Sequence, residues 1–369
     1  MKVPFLSFEA TTAQLKTRLL SAYEQFIDSG WYVLGNGVRQ FEEEYAQFSH
    51  TKHCIGVGNG LDALYIALKT LGIGTGDEVI VPSNTYIATV LAVSYTGATP
   101  VPSEPDVHTF NLNPALLEEK INPRTKAIMP VHLYGQACEM TAVMQIAARH
   151  NLFVIEDNAQ AHGATCDGRI TGSFGHINAT SFYPGKNLGA LGDAGALTTD
   201  DDELARLARS WRNYGSEKKY YNEIRGVNSR LDESQAGVLS IKLPFLDAWN
   251  KERAGISGCY SRHLKGIGDL TLPKMADGCT SSHHLYVIRT SHRDALQEYL
   301  TRQGIGTLIH YPIPPHLQNA YKDWGYKQGD FPIAEKMAST CLSLPLFIGM
   351  TQDQVNYVIE NIQSFYKSH

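Results

Sequence analysis

From about residue 53, short apolar runs alternate with amphipathic stretches, and this alternation constrains the fold more than any other feature. The runs that read as strands are 53–58, 78–83, 99–104, 127–132, 153–157, 179–183 and 194–199. Those at 53–58, 78–83, 127–132 and 153–157 lack strict polar alternation, as parallel strands covered on both faces require. Helical patterns fill the gaps. The stretch 61–71 sets Leu61, Leu64, Leu68 and Leu71 on one face, and 87–95, 114–120, 141–150 and 202–210 follow. Strand and helix in alternation mean βαβ crossovers, hence an α/β fold with an open, mostly parallel seven-stranded sheet between helices.

Residues 232–263 read as one long helix or a broken pair leading out of this sheet. Beyond them, a strand-like 284–290, a helical 293–303 and a helical C-terminus from Thr351 predict a smaller α+β unit. The expected division is 1–250 for the large domain and 251–369 for the small one. At roughly 100–200 residues per domain, 369 residues fit two.

Charge excludes some partners. Lys and Arg total 32 against 37 Asp and Glu, a net −5, which leaves no basic footprint for nucleic acid or an anionic membrane. The cysteines at 54, 138, 166, 259, 279 and 341 never adopt CxxC spacing, so no zinc ribbon or thioredoxin-like site is expected. Few scattered cysteines and no apolar leader run in MKVPFLSFEATTAQ read as a cytoplasmic chain with reduced thiols. No apolar run is long enough to span a bilayer. The histidines, His283-His284 included, lack partners at metal-ligand spacing, so no metal is expected.

In open α/β sheets, ligands lie beyond the carboxyl ends of the strands. Polar and glycine residues gather at those ends here. Gly58-Asn59-Gly60, followed by Leu61, lies between a strand and a helix, where free N–H groups and the helix dipole attract an anion. Such a glycine pair is also simply a flexible turn. Asp157 closes an apolar run, and a buried carboxylate calls for a cation, although a helix cap or a salt bridge satisfies one equally well. Lys186 follows the Pro184-Gly185 turn in SFYPGKN. Turn lysines are usually solvated, but one held among apolar groups loses its proton more readily and becomes a nucleophile. Cradle, strand-end acid and Ser-x4-Lys turn, in that order on one rim, are together what pyridoxal phosphate needs.

With these motifs in view, the chain resembles the nucleotide-sugar aminotransferases of the DegT/DnrJ/EryC1 group, of aspartate-aminotransferase fold type I. The likeness runs from GWYVLG (30–35) to LSLP (342–345) and is most specific in GNGLDAL (58–64), PSNTYIAT (82–89), EDNAQAHGA (156–164), SFYPGKNLGALGDAGA (181–196) and GVNSRLDESQAG (226–237). It implies pyridoxal 5'-phosphate as cofactor, Lys186 as its Schiff-base lysine and Asp157 as the partner of its ring nitrogen. It further implies that Gln160 lies near the phenolic oxygen, that Tyr86 stacks on the ring, and that Gly60, Ser181 and a neighbouring subunit's Asn228 contact the phosphate. Many relatives carry a hydroxyl residue where this chain has Leu61. The segment HYP at His310-Tyr311-Pro312, together with Tyr183 and Lys219, is similar to the family's sugar-side contacts.

The implied reaction is transamination of a dTDP-linked 3-keto-6-deoxyhexose by L-glutamate, in a homodimer with shared sites, for a deoxyaminosugar of O-antigen or another surface glycan. Rival readings are amination at C4, sugar dehydration, and a non-catalytic regulator on the same fold. Dehydrating relatives have histidine in place of the lysine, which Lys186 argues against, and a regulator should have lost Lys186 or Asp157.

Overall fold

The computed structural model describes residues 1–368. Two helices, α1 (Glu9–Ser29) and α2 (Asn36–Phe48), come first. Then follow β1 (His53–Val57), α3 (Gly60–Thr70), β2 (Glu78–Pro82), α4 (Ile87–Tyr95), β3 (Thr99–Ser103), β4 (Thr125–Ile128), α5 (Met140–Arg149) and β5 (Phe153–Val154). A small hairpin, β6 (Thr165–Cys166) and β7 (Arg169–Ile170), precedes β8 (Asn178–Ser181), β9 (Gly195–Thr199) and α6 (Asp202–Trp211).

Strands β3-β2-β4-β5 form a parallel block, and β8-β9-β1 form an antiparallel one. Asp157 joins the blocks, pairing in parallel with Val131 on one side and Ala179 on the other. The result is the expected mostly parallel seven-stranded sheet, in the order β3-β2-β4-β5-β8-β9-β1. Only β9 runs against its neighbours. No helix separates it from β8, so the chain returns directly beside the strand it left, and such a return is antiparallel.

Side-chain alternation divides the core in two. Val79 and Val81 face a cluster containing Leu64 and Leu68 of α3 and Val90 and Val93 of α4. Ile80, Ile128 and Val154 face the opposite layer, with Met140, Val143 and Ile146 of α5. Consecutive strand residues point to opposite faces, so a run such as Val79-Ile80-Val81 is needed where helices cover both sides.

After α6 come a hairpin, β10 (Ser216–Lys218) and β11 (Tyr221–Asn222), then α7 (Glu233–Lys242) and α8 (Leu246–Leu264). The 232–263 region is therefore a broken pair. Its break falls at a 3-10 turn, Leu243–Phe245, where Pro244 has no N–H to continue the helical ladder. The remaining elements are β12 (Tyr286–Arg289), α9 (Arg293–Arg302), α10 (Pro332–Thr340), β13 (Cys341–Leu344) and α11 (Gln352–Ser368). All of these but α10 share a second core with α8, around Tyr260, Leu264, Tyr286, Ile288, Leu300, Leu344 and Ile362.

One expectation fails. Residues 114–120 form two 3-10 turns, Pro114–Leu116 and Glu118–Lys120, rather than an α-helix. Asn113 Oδ1 accepts from Ala115 N at 3.0 Å and only Leu117 of the segment is buried in the core, so no apolar stripe rewards a longer helix. The strand expected at 284–290 is shorter, starting at Tyr286, because His284 turns to a polar partner described below.

Candidate active site

Strands β1, β2, β4, β5 and β8 point the same way, so their carboxyl ends share one rim. At the end of β1, Asn59 Oδ1 accepts from Asp62 N at 2.8 Å and caps α3. Among the described residues the N–H groups of Gly60 and Leu61 meet no acceptor, as expected for the first turn of a helix. The Leu61 side chain packs on the core. A Cβ on Gly60 would lie 2.6 Å from Ser181 Cβ, so glycine is what lets this helix start approach Ser181. The Ser181 hydroxyl oxygen accepts from Tyr183 N at 3.3 Å, leaving its proton to donate.

Asp157 is buried. Its Oδ2 accepts from Thr89 Oγ1 at 2.9 Å and its Oδ1 from Ala159 N at 3.2 Å. Burial raises its pKa from the usual aspartate value, against the opposing pull of Thr89, Ala159 N and the Lys186 charge. No ion pair reaches it among the described residues. The acid therefore lies in a place where a nearby cation would stabilise it strongly.

Lys186 is carried by the turn after β8. Its N–H donates to Tyr183 O at 2.8 Å, and Ala190 N returns to Phe182 O at 2.8 Å. Burial lowers the Lys186 pKa to about 8, with Asp157 pulling the other way. The ammonium makes no hydrogen bond within the described residues, so the amine is free to react. Its neighbour Asn187 clamps the turn from below. The Asn187 amide donates to Asn250 Oδ1 at 2.8 Å and Ser282 O at 2.7 Å. Its oxygen lies 3.2 Å from Nδ1 of His284, which burial holds far below its usual pKa and thus neutral, so Nδ1–H donates. Thr89, Asn187 and His284 were not candidates from sequence. The Thr85–Thr89 spacing in NTYIAT, with hydroxyls 2.9 Å apart, was the one available hint.

The other wall brings together Tyr86, Gln160, His310 and Tyr311. The rings of Tyr86 and Tyr311 lie 5.0 Å apart at 35°. Gln160 donates from Nε2 to Tyr311 OH at 3.1 Å and accepts from Tyr134 N at 2.6 Å, so its amide is oriented from both ends. His310 Nδ1 lies 2.8 Å from Ser343 Oγ. Burial, then the Lys186 charge, lowers the His310 pKa to about 4, which makes it neutral near pH 7. The Tyr134 hydroxyl donates to His310 O.

Three candidates stand apart from this cluster. Tyr183 is exposed. Lys219 is exposed on the β10–β11 hairpin, its ammonium 5.1 Å from the Tyr220 ring centroid. Asn228 is exposed and its side chain bonds nothing in the chain. The adjoining Ser229 accepts from Gly58 N at 3.0 Å and donates to Asp62 Oδ2 at 2.6 Å. Among the described residues, no cluster of three His, Cys, Asp or Glu side chains is placed to hold a metal.

The donor set suits one cofactor. Free N–H groups with a hydroxyl suit a phosphate, a buried acid without a cation suits a protonated pyridine nitrogen, and a free amine suits an aldehyde. Fold and rim together define an aminotransferase of fold type I whose cofactor is pyridoxal 5'-phosphate. The chain belongs to the DegT/DnrJ/EryC1/StrS aminotransferase family, whose model matches residues 13–363. A dTDP-3-amino-3,6-dideoxy-alpha-D-galactopyranose transaminase of Aneurinibacillus thermoaerophilus is 51% identical over 98% of this chain and 99% of its own. A dTDP-3-amino-3,4,6-trideoxy-alpha-D-glucose transaminase of Streptomyces venezuelae is 47% identical over 99% of this chain and 96% of its own. The crystal structure of S. venezuelae DesV in complex with a ketimine intermediate matches with a TM-score of 0.97 at 47% identity, covering 99% of both chains.

Proposed function

We propose that this enzyme transfers the amino group of L-glutamate to the C3 keto carbon of a dTDP-linked 6-deoxyhexose, releasing 2-oxoglutarate and a dTDP-3-amino-3,6-dideoxyhexose. The reading rests on the 51% identity to a relative named for a dTDP-3-amino-3,6-dideoxyhexose. The retained Lys186 and Asp157 weigh against a regulator without catalysis. The test offers 3-keto and 4-keto dTDP-6-deoxyhexoses with L-glutamate and reads the products by NMR. Amination at C3 supports the proposal, and conversion of the 4-keto sugar alone overturns it.

When bound, pyridoxal phosphate acts as an electron sink and carries the amino group between donor and acceptor. In this reading the N–H groups at Asn59-Gly60-Leu61, Ser181 and the other subunit's Asn228 hold the phosphate. Asp157 would keep a proton on the ring nitrogen, and Tyr86 and Gln160 would hold the ring and its phenolic oxygen. Lys186 would hold the cofactor through Nζ, and as a neutral amine Nζ would take the proton from the donor's α carbon. Tyr183, Lys219, His310 and Tyr311 grip the sugar nucleotide. A site built for particular hydroxyls leaves polar groups unpaired when the sugar shifts by one carbon, which is how C3 is told from C4.

The same reading makes the enzyme a homodimer. Its support is the exposed apolar surface of α1 and the turn after it, with Leu20 63% and Trp31 65% exposed, since such patches mark interfaces. The division into 1–250 and 251–369 is supported by α8. Its Leu246 packs beneath the Lys186 turn with Phe182 and Leu188, and its Tyr260 and Leu264 join the second core. A cytoplasmic location and a product destined for O-antigen or another surface glycan complete the reading. No helix among the described residues is long and apolar enough to cross a membrane.

A further inference from the structure

Cys166 and Cys279 face each other across an antiparallel bridge. Asp167 N donates to Gly278 O at 2.8 Å, and Thr280 N to Thr165 O at 2.8 Å. The cysteines lie between these two bonds and form a pair that exchanges no backbone hydrogen bond of its own. In such pairs the Cα atoms lie roughly 4.5 Å apart and the side chains lean together. A disulfide needs Cα atoms about 4.4–6.8 Å apart, so the register already meets its main demand. Both thiols enter one apolar cluster with Cys138, and Cys279 Sγ lies 3.4 Å from Cys138 O. None of the six cysteines is in a disulfide.

We propose that Cys166 and Cys279 are a redox pair that closes a cross-strand disulfide by exchange with a low-molecular-weight disulfide such as oxidised glutathione. The thiolate of one cysteine attacks a sulfur of the small disulfide and releases one small thiolate. The thiolate of the second cysteine then displaces the other. Two protein thiols and one small disulfide become one protein disulfide and two small thiols, and the two thiol protons pass to the released thiolates. Burial, then the adjoining Cys166 thiol, keeps the Cys279 thiol protonated well above neutral pH. Closure is therefore slow, because the thiolate is the attacking species.

The bridge ties two segments that flank the catalytic turn. Cys166 belongs to the hairpin just after the Asp157–Gln160 stretch. Three residues beyond Cys279, Ser282 accepts from the Asn187 amide and donates from its hydroxyl to Gln160 O at 3.1 Å. A disulfide between positions so far apart in sequence removes much freedom from the unfolded chain, and oxidation is expected to raise the melting temperature by several degrees.

The test uses the native holoenzyme. It is incubated with oxidised glutathione, its remaining thiols are alkylated under denaturing acid quench, and it is digested without reduction for mass spectrometry. The expected result is one peptide pair joined through Cys166 and Cys279, lighter than the sum of its parts by two hydrogens and separated by dithiothreitol. Cys259→Ser, which removes the one cysteine that is not buried, is expected to leave the bridge intact, and Cys166→Ser to abolish it. A Cys138–Cys279 bridge, glutathione adducts alone, or a bridge formed only in denaturant would each overturn the proposal.

Discussion

Thr89 Oγ1 donates to Asp157 Oδ2 at 2.9 Å, the only side-chain hydrogen bond this buried carboxylate receives among the described residues. The bond lowers a pKa that burial raises. Thr89→Val keeps the shape and removes the donor. Losing one hydrogen bond to a charged group costs about 1.5–3 kcal/mol, so kcat/KM is expected to fall about tenfold to a hundredfold. Steady-state kinetics check this, and an unchanged value would mean that Asp157 needs no help to stay ionised.

Removing the charge itself goes further. Asp157→Asn is expected to keep the fold and to lower the rate by about a hundredfold or more, on the order of 2.7 kcal/mol of transition-state stabilisation. A near-native rate would make the acid structural only.

The Lys186 amine has a predictable pH dependence. Its pKa is lowered to about 8 by burial and raised by Asp157. Only the neutral amine is nucleophilic, so capture of pyridoxal phosphate by the apoenzyme should accelerate as pH rises through about 8 and level off above it. Asp157→Asn removes the raising charge, so the inflection should move to lower pH. Stopped-flow absorbance measures both. An inflection near the ordinary lysine value, or a shift to higher pH in the variant, would contradict the electrostatics.

Asn187→Ala breaks the clamp beneath the turn. Ser282 O, Asn250 Oδ1 and His284 Nδ1 each lose a buried partner. With about 1–3 kcal/mol for each group left unsatisfied and partial relief by water, a loss of about 2–4 kcal/mol in unfolding free energy is expected. A denaturant midpoint unchanged from wild type would show that the turn holds itself.

A shared site can be tested by complementation. Lys186→Ala and Asn228→Ala should each be nearly inactive. In a mixed dimer both defects fall in one site and leave the other whole, so activity should return on subunit exchange. No recovery in confirmed mixed dimers, or full activity in Asn228→Ala alone, would contradict Asn228 acting across the interface.

The central sheet was legible in the sequence because strands covered on both faces need apolar residues at every position, as in Val79-Ile80-Val81. Lys186 and Asp157 were candidates only through their order on one rim, since neither stands out alone. Thr89 was not, because a threonine in the first turn of a helix has many ordinary reasons to be there. The Asn187 clamp was not either. Its partners are Asn250, Ser282 and His284, and only the fold brings such distant positions together. His284 bonds to Asn187, and the strand expected to start at that residue begins instead at Tyr286. The failed helix at 114–120 had charged residues but no apolar face to dock.

The most direct measurement fixes the cofactor where it is bonded. Borohydride reduction of the holoenzyme, digestion and mass spectrometry should find the pyridoxyl phosphate label on the peptide containing Lys186, at one label per chain. A label on Lys242, whose pKa burial also lowers to about 8, or on any other lysine, would contradict the assignment of Lys186 as the cofactor lysine.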